Sequence, residues 1–452
     1  MMGDHDTIAA PATASGGAIA VVRVSGDRAL ELCDCIFRGR ERLSEGAGYT
    51  LHFGCVVDGT RTVDEVLAAV FRAPHSYTGE DSVEISCHGS SYIVAEILRL
   101  LVDVGVRMAE PGEFTVRAYL AGKMDLSQAE AVADLVASSS RAAHTLAINQ
   151  MRGGYSDALE GLREQLLQLA SLLELELDFS EEEVEFANRG ELERLMQRLG
   201  EELGRLRDSF ALGNALKEGV AVAIVGAPNV GKSTLLNRLL EDERALVSDI
   251  AGTTRDVIEE QANIDGVPFR FLDTAGIRST DDRLEQMGIE RTMASIARAR
   301  IILYLTASAG LEAAGSIAPP AFELTPGQKL LTVVNKIDLC PSLVLPPHAV
   351  GISARSGEGI DALRRALREA VDTSALYHGD AVVSSRRHYA ALADACAALD
   401  RARCGLADDL PTDLLCEEVR HVIRHVGTIT GRGALAPDDI LHNIFSKFCI
   451  GK

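Results

Sequence analysis

The residues of this sequence best suited to hold a polyphosphate are Gly226-Ala227-Pro228-Asn229-Val230-Gly231-Lys232-Ser233. They follow an apolar run, Val220 to Val225, and precede an apolar-periodic segment, Thr234 to Leu240. The pattern predicts strand, glycine-bounded loop and helix. The glycines let backbone N–H groups wrap a phosphate, and the helix start adds partial positive charge. Lys232 would reach the outer phosphates and the Ser233 hydroxyl would ligate Mg²⁺, with Val230, Gly231 and Thr234 completing the phosphate contacts. Asn229 offers a carbonyl oxygen beside the phosphates, suited to a hard monovalent cation such as K⁺. Such an ion could supply the charge that an arginine finger supplies elsewhere.

Further signals follow in a fixed order. Gly252-Thr253-Thr254-Arg255-Asp256 lies in an expected loop, where Thr254 could close over a γ-phosphate and bind Mg²⁺. The apolar run Phe269 to Leu272 leads to Asp273-Thr274-Ala275-Gly276. There Asp273 could hold Mg²⁺ through water and the Gly276 N–H could sense the γ-phosphate. Leu330 to Val334 ends in Asn335-Lys336-Ile337-Asp338. A carboxylate at Asp338 can accept from guanine N1–H and its amine, donors that adenine lacks, so GTP is favoured over ATP. The Lys336 stem would cover the base, and Ser353-Ala354-Arg355 would complete the pocket. Many signalling GTPases place a water-orienting glutamine after the Asp-x-x-Gly motif. Here that position is Ile277, and Glu285 in the following segment is the alternative group.

These residues need a scaffold. The 452-residue chain suggests two to four domains, and its 47% hydrophobic content indicates a globular protein. Between Lys217 and about Asp372 strand and helix patterns alternate, as a doubly wound, mainly parallel sheet requires. Residues 1 to about 120 are expected to be mixed α/β, with strands at Ile19–Val24, Leu51–Val57, Glu65–Phe71 and Ser82–Ser86. Helices are expected at Arg28–Phe37 and Ser91–Val102. From Ser127 the pattern turns helical. Leu159, Leu162, Leu166, Leu169, Leu173 and Leu177 mark one long amphipathic helix, and Leu192, Leu195, Leu199, Leu203 and Leu206 another. Helices return at Arg386–Arg403, Thr412–Val426 and Pro437–Phe448. The α/β nucleotide domain is thus expected as an insert in a helical domain whose flanking helices pack together.

Composition narrows the setting. The net charge of -21 argues against nonspecific nucleic-acid binding by a generally basic surface. No apolar run reaches the roughly 18–20 residues of a membrane span. Met1 to Ala10 carries Asp4 and Asp6 and neither Lys nor Arg, which argues against a signal or transit peptide. Nine scattered cysteines without a CxxC fit reduced cytoplasmic thiols. Cys449, between Lys447 and Lys452, is a candidate functional thiol because a nearby cation favours the thiolate. Pro74–Asp81 and Ser86–Gly89 form polar clusters suited to a pocket rim, with His75 and His88 expected to be structural rather than metal ligands.

With these residues in view, the chain resembles the MnmE (TrmE) family of tRNA modification GTPases. The resemblance rests on Asp6-Thr7-Ile8-Ala9 with Val22-Arg23-Val24-Ser25-Gly26, on Tyr77-Thr78-Gly79-Glu80-Asp81, on the GTPase motifs, and on Phe448-Cys449-Ile450-Gly451-Lys452. It implies an N-terminal α/β domain over residues 1–120 that dimerises and binds a 5-formyl-tetrahydrofolate-type carrier. It further implies a helical domain in two parts, 121–216 and 377–452, and an inserted GTPase domain over 217–376. By motif, folate contacts would be Arg23, Glu80, Lys123 and Lys452. K⁺ would be held through Asn229 and the loop residues Ser248, Ile250 and Thr253, with Asp249, Ala251 and Gly252 also against the nucleotide. Glu285 would act from the switch region, and Cys449 would serve the modification chemistry. An FAD-containing partner, MnmG, is implied, forming a heterotetramer that installs a (carboxymethyl)aminomethyl group at C5 of a tRNA wobble uridine in the cytoplasm. The chain departs from the family at Ala14-Ser15-Gly16-Gly17, at Ser248 and at Gly431-Arg432-Gly433. A ribosome-assembly or RNA-chaperone GTPase without covalent chemistry is the competing expectation, and neither Cys449 nor a Glu80 pocket would serve it.

Overall fold

The computed structural model describes residues 6–14, 16–178, 189–244, 260–272, 285–310, 322–374, 376, 381–431, 441, 444–446, 448 and 451. They form two compact units, residues 1–133 with 426–452, and residues 134–425.

The first unit is built on a seven-stranded sheet. In chain order its elements are β1 (Ile8–Pro11), β2 (Ile19–Ser25), α1 (Ala29–Ile36), β3 (Phe37–Gly39), β4 (Thr50–Asp58), β5 (Arg61–Phe71), β6 (Ser82–His88), α2 (Ser91–Asp103), β7 (Arg107–Met108) and α3 (Glu113–Leu120). The strand order is β3-β4-β5-β6-β2-β1-β7. Neighbours are antiparallel except β1 and β7. Strict alternation creates two faces. Val56, Val66, Ala68, Val70, Val83, Ile85, Val22 and Val24 are buried in one core with Leu30, Ile36, Ile97 and Leu101 of α1 and α2. On the opposite face Leu51, Phe53 and Leu67 stay exposed, at 63%, 65% and 41%. The β4–β5 hairpin turns through Gly59, whose φ of 60° suits glycine, so β5 begins at Arg61 rather than at the expected Glu65. The short strands β1, β3 and β7 were not expected, since two to four residues carry too little period to stand out.

Charge closes the other end of this unit. Arg107 pairs with Asp6 and Glu113, and Arg117 pairs with the same two carboxylates. Glu113 is 2% exposed. Burial pushes the Asp6 and Glu113 carboxyls up, yet hydrogen bonds from the two arginines outweigh it and hold both below their ordinary values. Below α3, Phe445 and Phe448 pack with Val116, Leu126 and Ala129. Gly112, at φ 73°, leaves no room for a Cβ, which would lie 2.6 Å from the Phe445 carbonyl oxygen. Gly451 is as tight against Pro11, so these C-terminal residues lie within the N-terminal unit.

The helix α4 (Leu126–Ala137) leads to the second unit, with α5 (Arg141–Met151), α6 (Gly154–Asp178) and α7 (Arg189–Glu218). Leu159, Leu162, Leu166, Leu169 and Leu173 are buried along α6. Along α7 the buried series is Leu192, Met196, Leu199, Leu203 and Leu206; Met196 occupies the inward place expected for Leu195 because spacings of four and three follow the helix face. The nucleotide-domain sheet follows: β8 (Val220–Val225), α8 (Lys232–Arg244), β9 (Glu260–Ile264), β10 (Val267–Phe271), α9 (Glu285–Arg298), β11 (Ile301–Ala307), β12 (Lys329–Asn335), β13 (Ala349–Gly351) and α10 (Ile360–Glu369). Its order is β13-β12-β11-β8-β10-β9, parallel apart from the β9–β10 hairpin. That hairpin turns at Asp265 (φ 52°) and Gly266 (φ 85°), the pairing a two-residue turn with both φ positive requires. The unit closes with α11 (Arg386–Ala407) and the part of α12 (Thr412–Thr430) up to His425. As expected, α7 and α11 pack together, with Gly200 against Leu399.

The chain leaving the nucleotide domain is strapped to this helical host. Buried Gln150 of α5 donates Nε2 to the Val382 carbonyl at 2.8 Å, and Ser209 of α7 accepts from the Val383 N–H at 3.0 Å. The helix α5 lies in the stretch expected to be helical from Ser127, but its bounds were not singled out, because a polar glutamine occupies an inward position and blurs its apolar period.

Two outcomes follow. A Cβ at Gly213 would lie 2.1 Å from the Val383 carbonyl oxygen. Gly213→Ala should lower the thermal midpoint even though alanine favours a helix interior by about 1 kcal/mol; a raised midpoint would show the strap to be loose. The Asp6 and Glu113 pairs stabilise the fold above the ordinary carboxylate range, about pH 4, and are lost as pH falls through their depressed values. Arg107→Gln should therefore move the acid-unfolding midpoint of the first unit upward, measured by circular dichroism against pH, and an unmoved midpoint would refute the contribution.

Candidate functional site

The phosphate loop lies between β8 and α8, where the sequence predicts it. Its two glycines are there for space. A Cβ at Gly226 would lie 2.2 Å from the Leu305 carbonyl oxygen, and one at Gly231 (φ 101°) would lie 2.3 Å from Asn335 Nδ2. Asn229 takes a left-handed φ of 62°. Lys232 opens α8 and donates Nζ to the Gly226 and Ala227 carbonyls at 2.8 and 3.0 Å. Burial lowers its pKa, so this ammonium gains from any anion brought to the loop. Ser233 is half-buried and Thr234 exposed, one turn into the helix start.

Asn335, 2% exposed at the end of β12, ties the site together. Its Nδ2 donates to the Val230 carbonyl at 2.8 Å. Its Oδ1 accepts from the Lys336 N–H at 2.8 Å and from the Ala354 N–H at 3.0 Å. One amide therefore joins the phosphate loop, the Asn335–Asp338 motif and the Ser353–Arg355 loop. Lys336 (φ 63°) donates Nζ to the Asn229 carbonyl at 2.7 Å, and Ser308 Oγ donates to the Lys336 carbonyl. Asp338 is exposed in a short 3₁₀ turn, Ile337–Leu339, leaving its carboxylate open to solvent. Ser353 and Ala354 are buried, whereas Arg355 is exposed with its carbonyl accepting from Arg238. Thus Asn229 to Thr234, Asn335, Lys336, Asp338 and Ser353 to Arg355 converge at the C-terminal ends of parallel strands, where a doubly wound sheet places its ligand. Ser248 to Thr254 and Asp273 to Gly276 lie outside the described residues. Glu285 is the first residue of α9, and its side chain lies outside the description.

A second polar cluster occupies the first unit. Register places Arg23 opposite Glu84, on the solvent face of the sheet. The guanidinium pairs with Glu84 at 2.9 Å, donates to the Gly451 carbonyl at 3.4 Å, and lies 5.3 and 5.7 Å from the Tyr77 and Phe114 ring centres. Glu80 accepts from Ser25 Oγ at 2.8 Å and from Arg117 at 3.1 Å. Lys123 donates Nζ to the Pro74 carbonyl at 2.8 Å, and its stem would touch a Cβ at Gly79. Arg23, Glu80 and Lys123 therefore meet around the 74–81 turn. Cys449 and Lys452 lie outside the described residues. The sequence reading missed Glu84, Phe114 and Arg117. Arg23 and Glu84 become neighbours only through the β2–β6 register, and Arg117 only through the fold of α3. His88 donates Nδ1–H to the Asp64 carboxylate at 2.8 Å, and no group of three or more potential metal ligands occurs among the described residues.

The family description "MnmE helical domain" matches residues 126–449, and "GTP-binding protein TrmE N-terminus" matches residues 7–123. The chain is similar to proteins named tRNA modification GTPase MnmE in Christiangramia forsetii, at 49% identity, and Flavobacterium psychrophilum, at 46% identity, with 99% of each chain covered in both cases. The Bacteroides fragilis protein of the same name is 47% identical, covering 99% of this chain and all of its own. Among solved structures, the FeoB G-domain from Methanococcus jannaschii aligns at 22% identity and a TM-score of 0.22, covering 33% of this chain and 96% of its own. The full-length relatives and the family match across 126–449 together establish that the chain belongs to the MnmE (TrmE) family of tRNA modification GTPases.

Proposed function

We propose that this chain hydrolyses GTP with Mg²⁺ and K⁺, and that hydrolysis drives modification of a tRNA wobble uridine at C5. The observation that carries the reading is the Asn335 amide, which couples the phosphate loop to both loops facing the base. In this reading Asp338 selects guanine and Lys232 neutralises the outer phosphates. Ser233 and Thr254 hold Mg²⁺, and Gly226 and Gly231 provide a cradle that any side chain would fill. Asn229 with Ser248, Ile250 and Thr253 would hold K⁺, which would add positive charge beside the phosphates, and Glu285 would orient the attacking water. No step needs a base stronger than a carboxylate, because charge neutralisation and positioning account for most of phosphoryl transfer.

The first unit is the proposed one-carbon site. A 5-formyl-tetrahydrofolate-type carrier would place its carboxylates near Arg23, Lys123 and Lys452, and its ring N–H groups at Glu80. Tyr77 and Phe114 offer the aromatic wall that a flat ring favours. Cys449 is the proposed thiol of the modification chemistry. The assignment gives residues 1–120 dimerisation and folate binding, 217–376 GTP hydrolysis, and 121–216 with 377–452 a helical domain. Dimerisation is supported by the apolar stripe Leu51, Phe53 and Leu67 on the open sheet face, which water alone would cover poorly. An FAD-containing MnmG partner in a heterotetramer would supply redox chemistry and a basic face for tRNA that a chain of net charge -21 lacks. Among the described residues no helix is long and apolar enough to cross a membrane, and the site of action is proposed to be the cytoplasm.

Replacing K⁺ by Na⁺ should slow GTP turnover at least tenfold while leaving GTP binding intact; equal rates in the two salts would remove the cation from the reading. Cys449→Ser should hydrolyse GTP normally and abolish the modified wobble nucleoside, read by mass spectrometry of tRNA from a deletion strain carrying the variant. A normal nucleoside profile there would clear the thiol of a chemical role.

A further inference from the structure

We propose that Arg117 is a positioning residue that presents Glu80 to its ligand, an inference that rests on the folate reading above. Asp6, Arg107, Glu113 and Arg117 form a closed ring in which each guanidinium meets both carboxylates. Two positive and two negative groups make that ring neutral. Glu80 stands outside it and adds one uncompensated carboxylate.

The guanidinium of Arg117 divides its donors between these duties. Nη2 serves the ring, at Asp6 and Glu113. Nη1 donates to the Asp6 backbone carbonyl at 2.8 Å and reaches Glu80 Oε1 and Oε2 at 3.1 and 3.3 Å. Because ring and backbone hold the fork, its outer edge has one direction. Ser25 Oγ fixes the other carboxylate oxygen at 2.8 Å, and is itself held by buried Thr78 and Ser82. Arg117 is 12% exposed and Glu80 26%, so the arginine is on the inner side and the carboxylate keeps an open edge. Each carboxylate oxygen accepts about two hydrogen bonds; Oε2 already takes Ser25 and the longer Arg117 contact, whereas Oε1 takes Arg117 alone and keeps acceptor capacity on that edge. A flat ring presenting two adjacent N–H donors, such as the aminopyrimidinone edge of a pterin, matches it. Lysine would preserve the charge at 117 but not the planar fork.

The test uses the full-length protein and titration calorimetry with 5-formyl-tetrahydrofolate. Glu80→Gln and Arg117→Lys should each weaken binding tenfold or more. The double variant should bind no more weakly than Glu80→Gln alone, because both changes remove one interaction. Arg107→Lys leaves Arg117 its own contacts with Asp6, Glu113 and the Asp6 backbone carbonyl and does not touch Glu80, so it should lower the thermal midpoint like Arg117→Lys yet bind folate as the unaltered protein does. Glu80→Asp, which leaves Arg117 in place, should also lose tenfold, since its carboxylate is withdrawn by one methylene. Multiplying losses in the double variant, equal folate losses in the Arg107 and Arg117 variants, or normal binding by Glu80→Asp would each overturn the positioning role. No binding by the unaltered protein would overturn the folate reading and this inference together, whereas unchanged binding by Glu80→Gln alone would remove Glu80 from the site.

Discussion

The second unit depends on a single buried amide. A side-chain amide at the end of a central parallel strand has one acceptor oxygen and two donor hydrogens. Asn335 uses the oxygen for two backbone N–H groups of separate loops and a donor for the phosphate loop. Buried polar groups that lack partners are costly, so three loops that would otherwise move independently are held in one geometry. The absence of a side chain at Gly231 belongs to the same constraint, since Asn335 Nδ2 occupies that space. The loops thus arrive preorganised, and nucleotide binding need not order them first.

The first unit relies on a different balance. Its sheet buries a continuous apolar face under α1 and α2, and its opposite face carries a polar row, Arg23 and Glu84, beside exposed Leu51, Phe53 and Leu67. Where α3 meets β1 and β7, pairing of charges stands beside a small apolar cluster of Ile8, Ala10, Ala109 and Phe114. Such an arrangement is sensitive to the removal of one partner, because the remaining charge is left poorly solvated.

Much of this was legible in the residues. The glycine spacing of the phosphate loop, the order of the later motifs and the strand–helix alternation all reflect local requirements, so the nucleotide sheet and its elements stand where expected. The long leucine stripes were equally clear, with one register detail, Met196 for Leu195, settled by packing. What stayed hidden was non-local. The pairing of Arg23 with Glu84 depends on strand register, and the Arg117 hub depends on three segments meeting. The bounds of α5 were hidden for another reason: Gln150 faces inward to hold a backbone carbonyl, which periodicity reads as a break.

Finally, consider where the nucleotide domain joins its host. The chain enters from Glu218 at the end of α7 and returns to Arg386 at the start of α11, and these two side chains lie 3.6 Å apart. An insertion whose ends are already neighbours imposes almost no closure entropy on the surrounding helices, whatever its length. The ends of the helical host thus meet independently of the insert, yet Ala142 and Leu146 of α5 and Leu216 of α7 share one buried core with the nucleotide sheet, so an exchanged domain would have to bring a matching apolar face to those three positions.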